Sequence, residues 1–125
     1  MSIKLDMVGI VVKDMKRALD FYRTLGFEIA SEMDNQAHVE VNQDGVRLAF
    51  DTVEVATSVY GSWEEPTGHR IELAFVCEDA DEVNRTHHSL IEKGYQSQKE
   101  PWDAFWGQRY AIVLDPDGNQ ISLFA

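Results

Sequence analysis

The sequence predicts an α+β fold built from two similar βαβββ modules. Two observations predict it. First, the 125-residue chain repeats one order of signals. Its first half runs strand, Asp14, helix, Gly26-Phe27, strands, Asp44-Gly45, strand. Its second half runs strand, Asp79, helix, Gly94-Tyr95, strands, Asp117-Gly118, strand. Second, the apolar period in each half switches from alternation to the helical spacing and back. A helix between strands, followed by hairpins, puts the helices on one face of a mixed sheet. The modules occupy about residues 1–52 and 70–125 of one compact domain, joined by a connection at about 53–69.

The elements follow in order. Residues 3–12, rich in β-branched side chains, form a strand. Asp14 is a helix N-cap, and Met15, Ala18, Leu19, Tyr22 and Leu25 make the apolar helical face. Gly26 stands where a left-handed C-terminal residue belongs. Residues 27–33 and 37–42 alternate as strands, a turn follows at Asn42–Gly45, and 46–52 form a further strand. The connection carries Gly61, Pro66 and Gly68 and is long enough to be a hinge or a lid. In the second half, 70–77 form a strand. Asp79 and Glu82 fit a capping box, and Gly94 ends the helix. Residues 95–99 make a short strand. The strands at 108–114 and 119–124 are joined by the type I turn signal Asp115-Pro116-Asp117-Gly118.

Composition narrows the function classes. A net charge of −11 argues against nucleic acid and anionic membranes as partners, since both require a basic patch. It suits a cationic ligand, although acidity also serves solubility. No apolar run reaches the roughly 20 residues of a membrane span, and the N-terminus lacks a signal-peptide layout, so a cytoplasmic location is expected. The single Cys77 excludes an intrachain disulfide and a multi-cysteine zinc site.

Alternation sorts the strand residues into two faces. Val8, Ile10 and Val12, then Val46, Leu48 and Phe50, suit packing under a helix. So do Ile71, Leu73, Phe75 and Cys77, then Ile121 and Leu123. The opposite set holds Met7, Gly9, Val11, Arg47, Ala49, Asp51, Glu72, Ala74, Val76, Gln120, Ser122 and Phe124. This second set is assigned to an open, concave face.

The segments LDMVGIVVKDMKRALDFYRTLGF and WGQRYAIVLDPDGNQISLF, with the repeated order, resemble the vicinal oxygen chelate superfamily. That superfamily comprises glyoxalase I, extradiol dioxygenases, and fosfomycin- and bleomycin-resistance proteins. The resemblance spans essentially the whole chain, and the DPDGN-strand is its most specific part. It implies paired modules curled into an open half-barrel around a ligand cleft, with helices on the outer face. It also implies a homodimer, with modules paired within a chain or across chains.

In metal-using members of that superfamily the ligands are His, Glu or Gln on the first and last strands of each module. The internal repeat aligns Met7, Ala49, Glu72 and Ser122 with those places. Zinc or iron sites need at least three good protein donors, and this set offers one carboxylate. Arg47, on the same face, adds a repelling cation. No metal and no other cofactor is therefore expected.

Glu72 remains as a candidate catalytic base, a ligand anchor, or the structural partner of Arg47 or Arg109. His38 reads as a hydrogen-bonded structural histidine on a half-buried strand. His69 stands at a strand entrance. His87 and His88 diverge by about 100° on a helix and do not share an ion. Trp102, Phe105 and Trp106 crowd into the loop before the seventh strand, and Trp63 lies in the connection. These rings either pack on a dimer partner or wall a cleft for a planar or cationic ligand. The PW…WG piece resembles the corresponding loop of bleomycin-resistance-type members.

The expected function is metal-independent binding of a cationic or aromatic small molecule. Met7, Arg47, Ala49, Glu72, Trp102, Trp106 and Ser122 are the binding candidates, with Trp63, His38 and Arg109 as further ones. The alternative is a metal-dependent lyase, isomerase or dioxygenase of the same superfamily. A structural or regulatory dimer without a ligand is a third possibility.

Overall fold

The computed structural model describes residues 5–68 and 71–125; His69, and the predicted strand beginnings at residues 3–4 and 70, lie outside the described residues. The chain divides into two compact units, Met1–Glu65 and Pro66–Ala125.

The first unit holds β1 (Met7–Val12), α1 (Met15–Thr24), β2 (His38–Gln43), β3 (Val46–Thr52) and α2 (Val53–Tyr60). Its mixed sheet has the order β1-β3-β2, with β1 parallel and β2 antiparallel to β3. Asp14 caps α1 as predicted, its Oδ1 accepting from Arg17 N at 3.0 Å. The helix closes in a Schellman motif: Phe27 N donates to Tyr22 O at 3.1 Å and Gly26 N to Arg23 O at 3.0 Å. Gly26 takes φ +105°, a conformation other residues rarely adopt. Tyr22 then meets Phe27 and Phe50 at ring distances of 5.9 and 5.0 Å. Leu19, Phe21, Tyr22 and Phe50 are fully buried. Each side chain of this size contributes about 1.5–3 kcal/mol by leaving water.

Two predictions are corrected in this unit. The strand expected at 27–33 does not form; the segment ends in a 3₁₀ turn at Ser31–Asn35. Arg23 explains the difference. Its guanidinium donates to Ile29 O and Ala30 O, both at 3.0 Å, and pairs with Asp20 and Asp34. Those carbonyls are thus bound by a side chain of α1 instead of by a neighbouring strand. The predicted connection at 53–69 begins with a helix, α2. Thr52 Oγ1 caps it by accepting from Val55 N, and Gly61 ends it at φ +88°. β-Branched residues at alternate positions, Val53, Val55, Thr57 and Val59, conceal this helix in the sequence.

The second unit holds β4 (Glu72–Val76), α3 (Ala80–Glu92), β5 (Gln96–Asp103), β6 (Arg109–Leu114) and β7 (Gln120–Phe124). It has the predicted βαβββ order and a mixed sheet β4-β7-β6-β5. Asp79 Oδ1 accepts from Glu82 N at 2.8 Å, and Glu82 reaches back to Glu78 N, one residue before the cap. A second Schellman motif ends α3: Tyr95 N donates to Leu90 O and Gly94 N to Ile91 O. The internal repeat therefore extends to helix start and stop alike. The β6–β7 turn closes through Gly118 N to Asp115 O at 3.0 Å. Asp115 is buried, and its carboxylate takes Asp117 N, Asn119 N and Asn119 Nδ2. The strand predicted at 95–99 runs on to Asp103, so Trp102 lies on a strand and only Phe105 and Trp106 lie in the turn.

Among the described residues, no helix is long and apolar enough to cross a membrane.

Candidate functional site

Each unit has one sheet face under a helix and one away from it. In the first unit, Ile10, Val12, Leu48 and Phe50 are buried as alternation predicts, and Phe50 meets Tyr22 of α1; Val46, assigned to the same face, is 55% exposed at the start of β3. The opposite face is read from the register. Met7 pairs with Arg47, Gly9 with Ala49 and Val11 with Asp51 across β1 and β3. Asn42, Glu40 and His38 extend the same three rows onto β2.

That face carries a chain of alternating charge. Arg47 pairs with Asp6 and, at 2.6 Å, with Glu40. Glu40 meets His38 Nε2 at 2.8 Å, and Asp51 meets His38 Nδ1 at 2.5 Å. Neutral imidazole has one N–H, and ionised carboxylates only accept, so both bonds form together only with the imidazolium. Hydrogen bonding to Asp51 first, then to Glu40, raises the His38 pKa. His38 is thus hydrogen-bonded, as read from the sequence, on a strand whose buried side is held by Val39; its own side chain is 46% exposed. Met7 stands at the end of this face, and Ala49 is fully buried and offers no donor. Trp63 lies beyond α2, with its Nε1 donating to Glu65 at 3.2 Å.

In the second unit the register builds three rows across four strands. Trp102, Tyr110, Phe124 and Val76 form one; Lys99, Ile112, Ser122 and Ala74 form the next; Gln96, Leu114, Gln120 and Glu72 form the third. The first row is aromatic. Trp102 and Tyr110 lie 5.4 Å apart, and Tyr110 stacks on Phe124 at 6.1 Å. Trp106 folds back from the turn, edge-on to both Trp102 and Tyr110, and remains 49% exposed. Ser122 Oγ donates to Glu72 Oε2 at 3.1 Å. Of the two arginines considered as its partner from the sequence, Arg47 pairs with Asp6 and Glu40 within its own unit and Arg109 pairs with Asp103.

Arg109 is placed on the other face. It shares parity with the buried Ala111 and Val113, donates to Asn84 of α3 at 3.0 Å and pairs with Asp103. It therefore stands apart from the aromatic row. Tyr110 and Phe124 complete that row. The β6–β7 turn could have identified both, because counting back from it pairs Tyr110 with Phe124 and fixes the parity of β6.

The repeat also survives in the register. Ala49 lies diagonally two residues beyond the partner of Met7, and Ser122 stands in the same relation to Glu72. The four positions aligned with metal ligands thus occupy equivalent places, as the alignment requires. Their chemistry does not fit a metal: a thioether, a methyl group, and a hydroxyl already bonded to the one carboxylate. Among the described residues, no group of three or more His, Cys, Asp or Glu side chains could hold a metal ion.

Residues 4–123 match the family profile of the Glyoxalase/Bleomycin resistance protein/Dioxygenase superfamily. The chain belongs to this superfamily. Solved structures agree with the superfamily fold. A member of the glyoxalase/bleomycin resistance protein/dioxygenase superfamily from Sphaerobacter thermophilus DSM 20745 is 30% identical, with 98% of this chain and 96% of that one covered and a TM-score of 0.68. A glyoxalase/bleomycin resistance protein/dioxygenase family enzyme from Burkholderia phytofirmans PsJN has a TM-score of 0.83 at 19% identity, covering 95% of both chains. A lactoylglutathione lyase from Agrobacterium tumefaciens has a TM-score of 0.70 at 16% identity, covering 97% of this chain and 92% of that one. No curated protein matches the chain. The α+β class and the two mixed sheets are those of the glyoxalase superfamily.

Proposed function

We propose that this glyoxalase-superfamily chain is a metal-independent small-molecule-binding protein that takes an aromatic compound bearing a positive charge. The observation that carries the reading is the row Trp102–Tyr110–Phe124, flanked by the half-exposed Trp106. Aromatic side chains at this density on an open sheet face supply flat apolar area and ring quadrupoles. Glu72, two rows along the same sheet, is a carboxylate held by one hydroxyl and free to take a ligand cation. On the first sheet, Met7 and the already paired Arg47 offer a second surface, with the buried Ala49 beneath it. The net charge of −11 favours approach of a cation. The protein is proposed to act as a homodimer and to work in the cytoplasm.

The alternative, a metal-dependent lyase, isomerase or dioxygenase, draws support from one structural neighbour described as a lactoylglutathione lyase. The donor set at Met7, Ala49, Glu72 and Ser122 argues against it. Two measurements decide between the readings. Phenyltrimethylammonium should quench tryptophan fluorescence saturably, and Trp102→Ala should weaken its binding by roughly tenfold or more, the loss of one ring contact with its buried area. Metal analysis of purified protein should find no stoichiometric zinc, nickel, manganese or iron. Bound metal that disappears in Glu72→Ala would establish the enzyme reading instead.

A further inference from the structure

The face of the Trp102 ring is already occupied by a cation. Lys99 Nζ lies 4.0 Å from its centroid. Strand alternation alone would forbid this, because residues three apart point to opposite faces. Two register shifts in β5, between Ser97 and Lys99 and between Lys99 and Trp102, remove the obstacle. They pair Lys99 with Ile112 and Trp102 with Tyr110, and those partners are two residues apart on one face. The irregularity in the strand is therefore what brings ammonium and indole together.

The other neighbours of Trp102 approach differently. Trp106 stands at 90° and Tyr110 at 63° to its plane, both edge contacts. Lys99 is itself exposed, and among the described residues its ammonium has no carboxylate within ion-pair reach. It can leave the ring for water at little cost.

We propose that Lys99 is a built-in placeholder that sets the specificity of the aromatic row: a ligand cation binds Trp102 by displacing the Lys99 ammonium. The inference rests on the proposed aromatic site and names what competes for it. A ligand cation beside an undisplaced Lys99 would meet like-charge repulsion, so the two exclude each other. A neutral or anionic aromatic would leave Lys99 in place and stack elsewhere along the row.

The test uses the full chain with phenyltrimethylammonium and phenylacetate as probes. In the ligand-free protein, the Lys99 ε-methylene protons should be shifted upfield by the indole ring current, and Trp102→Leu should abolish that shift. Saturating phenyltrimethylammonium should abolish it as well. Lys99→Thr should tighten phenyltrimethylammonium binding by about two- to fivefold, the factor expected for removing an exposed cation–π competitor. Lys99→Arg, a better ring-stacking cation, should weaken it. Phenylacetate should bind Lys99→Thr no more tightly than the native chain. The proposal is overturned if Lys99→Thr binds phenyltrimethylammonium equally or more weakly, or if the upfield shift persists at saturation. Binding that ignores Trp102→Ala, or no binding at all, would defeat the aromatic site itself and the proposal with it. The ligand-free ring-current shift tests the Lys99 contact separately from both.

Discussion

Two histidines, one in each unit, are tuned in opposite directions. His38 sits between Asp51 and Glu40, and their hydrogen bonds raise its pKa. His87 is buried against Ser97, and burial lowers its pKa. The raised His38 stabilises the fold fully below the unfolded-state value of about 6.5, and this is lost as pH rises through its folded value. The lowered His87 works the other way: its contribution is complete above about pH 6.5 and is lost as pH falls through its folded value. An NMR titration of the ring C2 protons should give a midpoint above that of a free histidine for His38 and below it for His87. Asp51→Asn and Glu40→Gln should each lower the His38 midpoint and leave His87 unmoved. A His38 midpoint at or below the free value would rule out the double carboxylate clamp. The sequence showed the histidines but not this contrast. His38 owes its charge to Asp51, a cross-strand neighbour thirteen residues away, and only the β2–β3 register brings them together.

Among the elements, the β6–β7 turn shows how local chemistry fixes a functional face. Asp115 is buried and satisfies three donors. Asp115→Ala should cost about 2–4 kcal/mol, because it leaves buried N–H groups of Asn119 without an acceptor. Urea denaturation would measure it, and a loss under about 1 kcal/mol would mean water replaces the carboxylate. Asn119→Ala removes one of those donors along with its partner's bond and should cost less. This turn was legible because Pro and Gly occupy positions whose dihedral angles they favour. The helix stops at Gly26 and Gly94 were legible for the same reason, and the starts at Asp14 and Asp79 because a carboxylate there accepts from the free N–H groups of the first turn. The missing strand at 27–33 was not. Its fate depends on Arg23, whose guanidinium bonds to Ile29 O and Ala30 O, and no propensity of the segment itself encodes that. Trp102 was misplaced into a loop because Lys99 and Trp102 break alternation at a register shift.

For the whole molecule, the repeat was the strongest signal, and it predicted which strand residues share a face. It aligned Met7, Ala49, Glu72 and Ser122, and the structure gives the two pairs the same diagonal offset. It could not supply the bond between two of them, since Ser122 and Glu72 meet across 50 residues of chain. Large apolar side chains are left exposed: Val59 at 71%, Phe105 at 97% and Val76 at 74%. They support the proposed homodimer. Sedimentation equilibrium should return twice the mass of 14.2 kDa, and Phe105→Asp should shift it toward the monomer if that ring is covered. A monomer at micromolar concentration would remove the dimer from the proposal.

Both sheets place their first strand at an edge, parallel to the last strand formed within the unit. This has a kinetic consequence. Asp6 and Arg47 are 41 residues apart in sequence, and Glu72 and Ser122 are 50 apart. The β2–β3 and β6–β7 hairpins close locally and fast, whereas β1 and β4 must wait for the strands they pair with. On a ribosome, neither first strand can dock until its module is almost entirely synthesised. Ile10→Val, in the middle of β1, should cost about 0.5–1.5 kcal/mol and express nearly all of it in the unfolding rate. A stopped-flow experiment showing slowed refolding instead would place β1 in the folding nucleus. By the same reasoning, the carboxylate of Glu72 is expected to gain its hydroxyl partner late in the assembly of its unit.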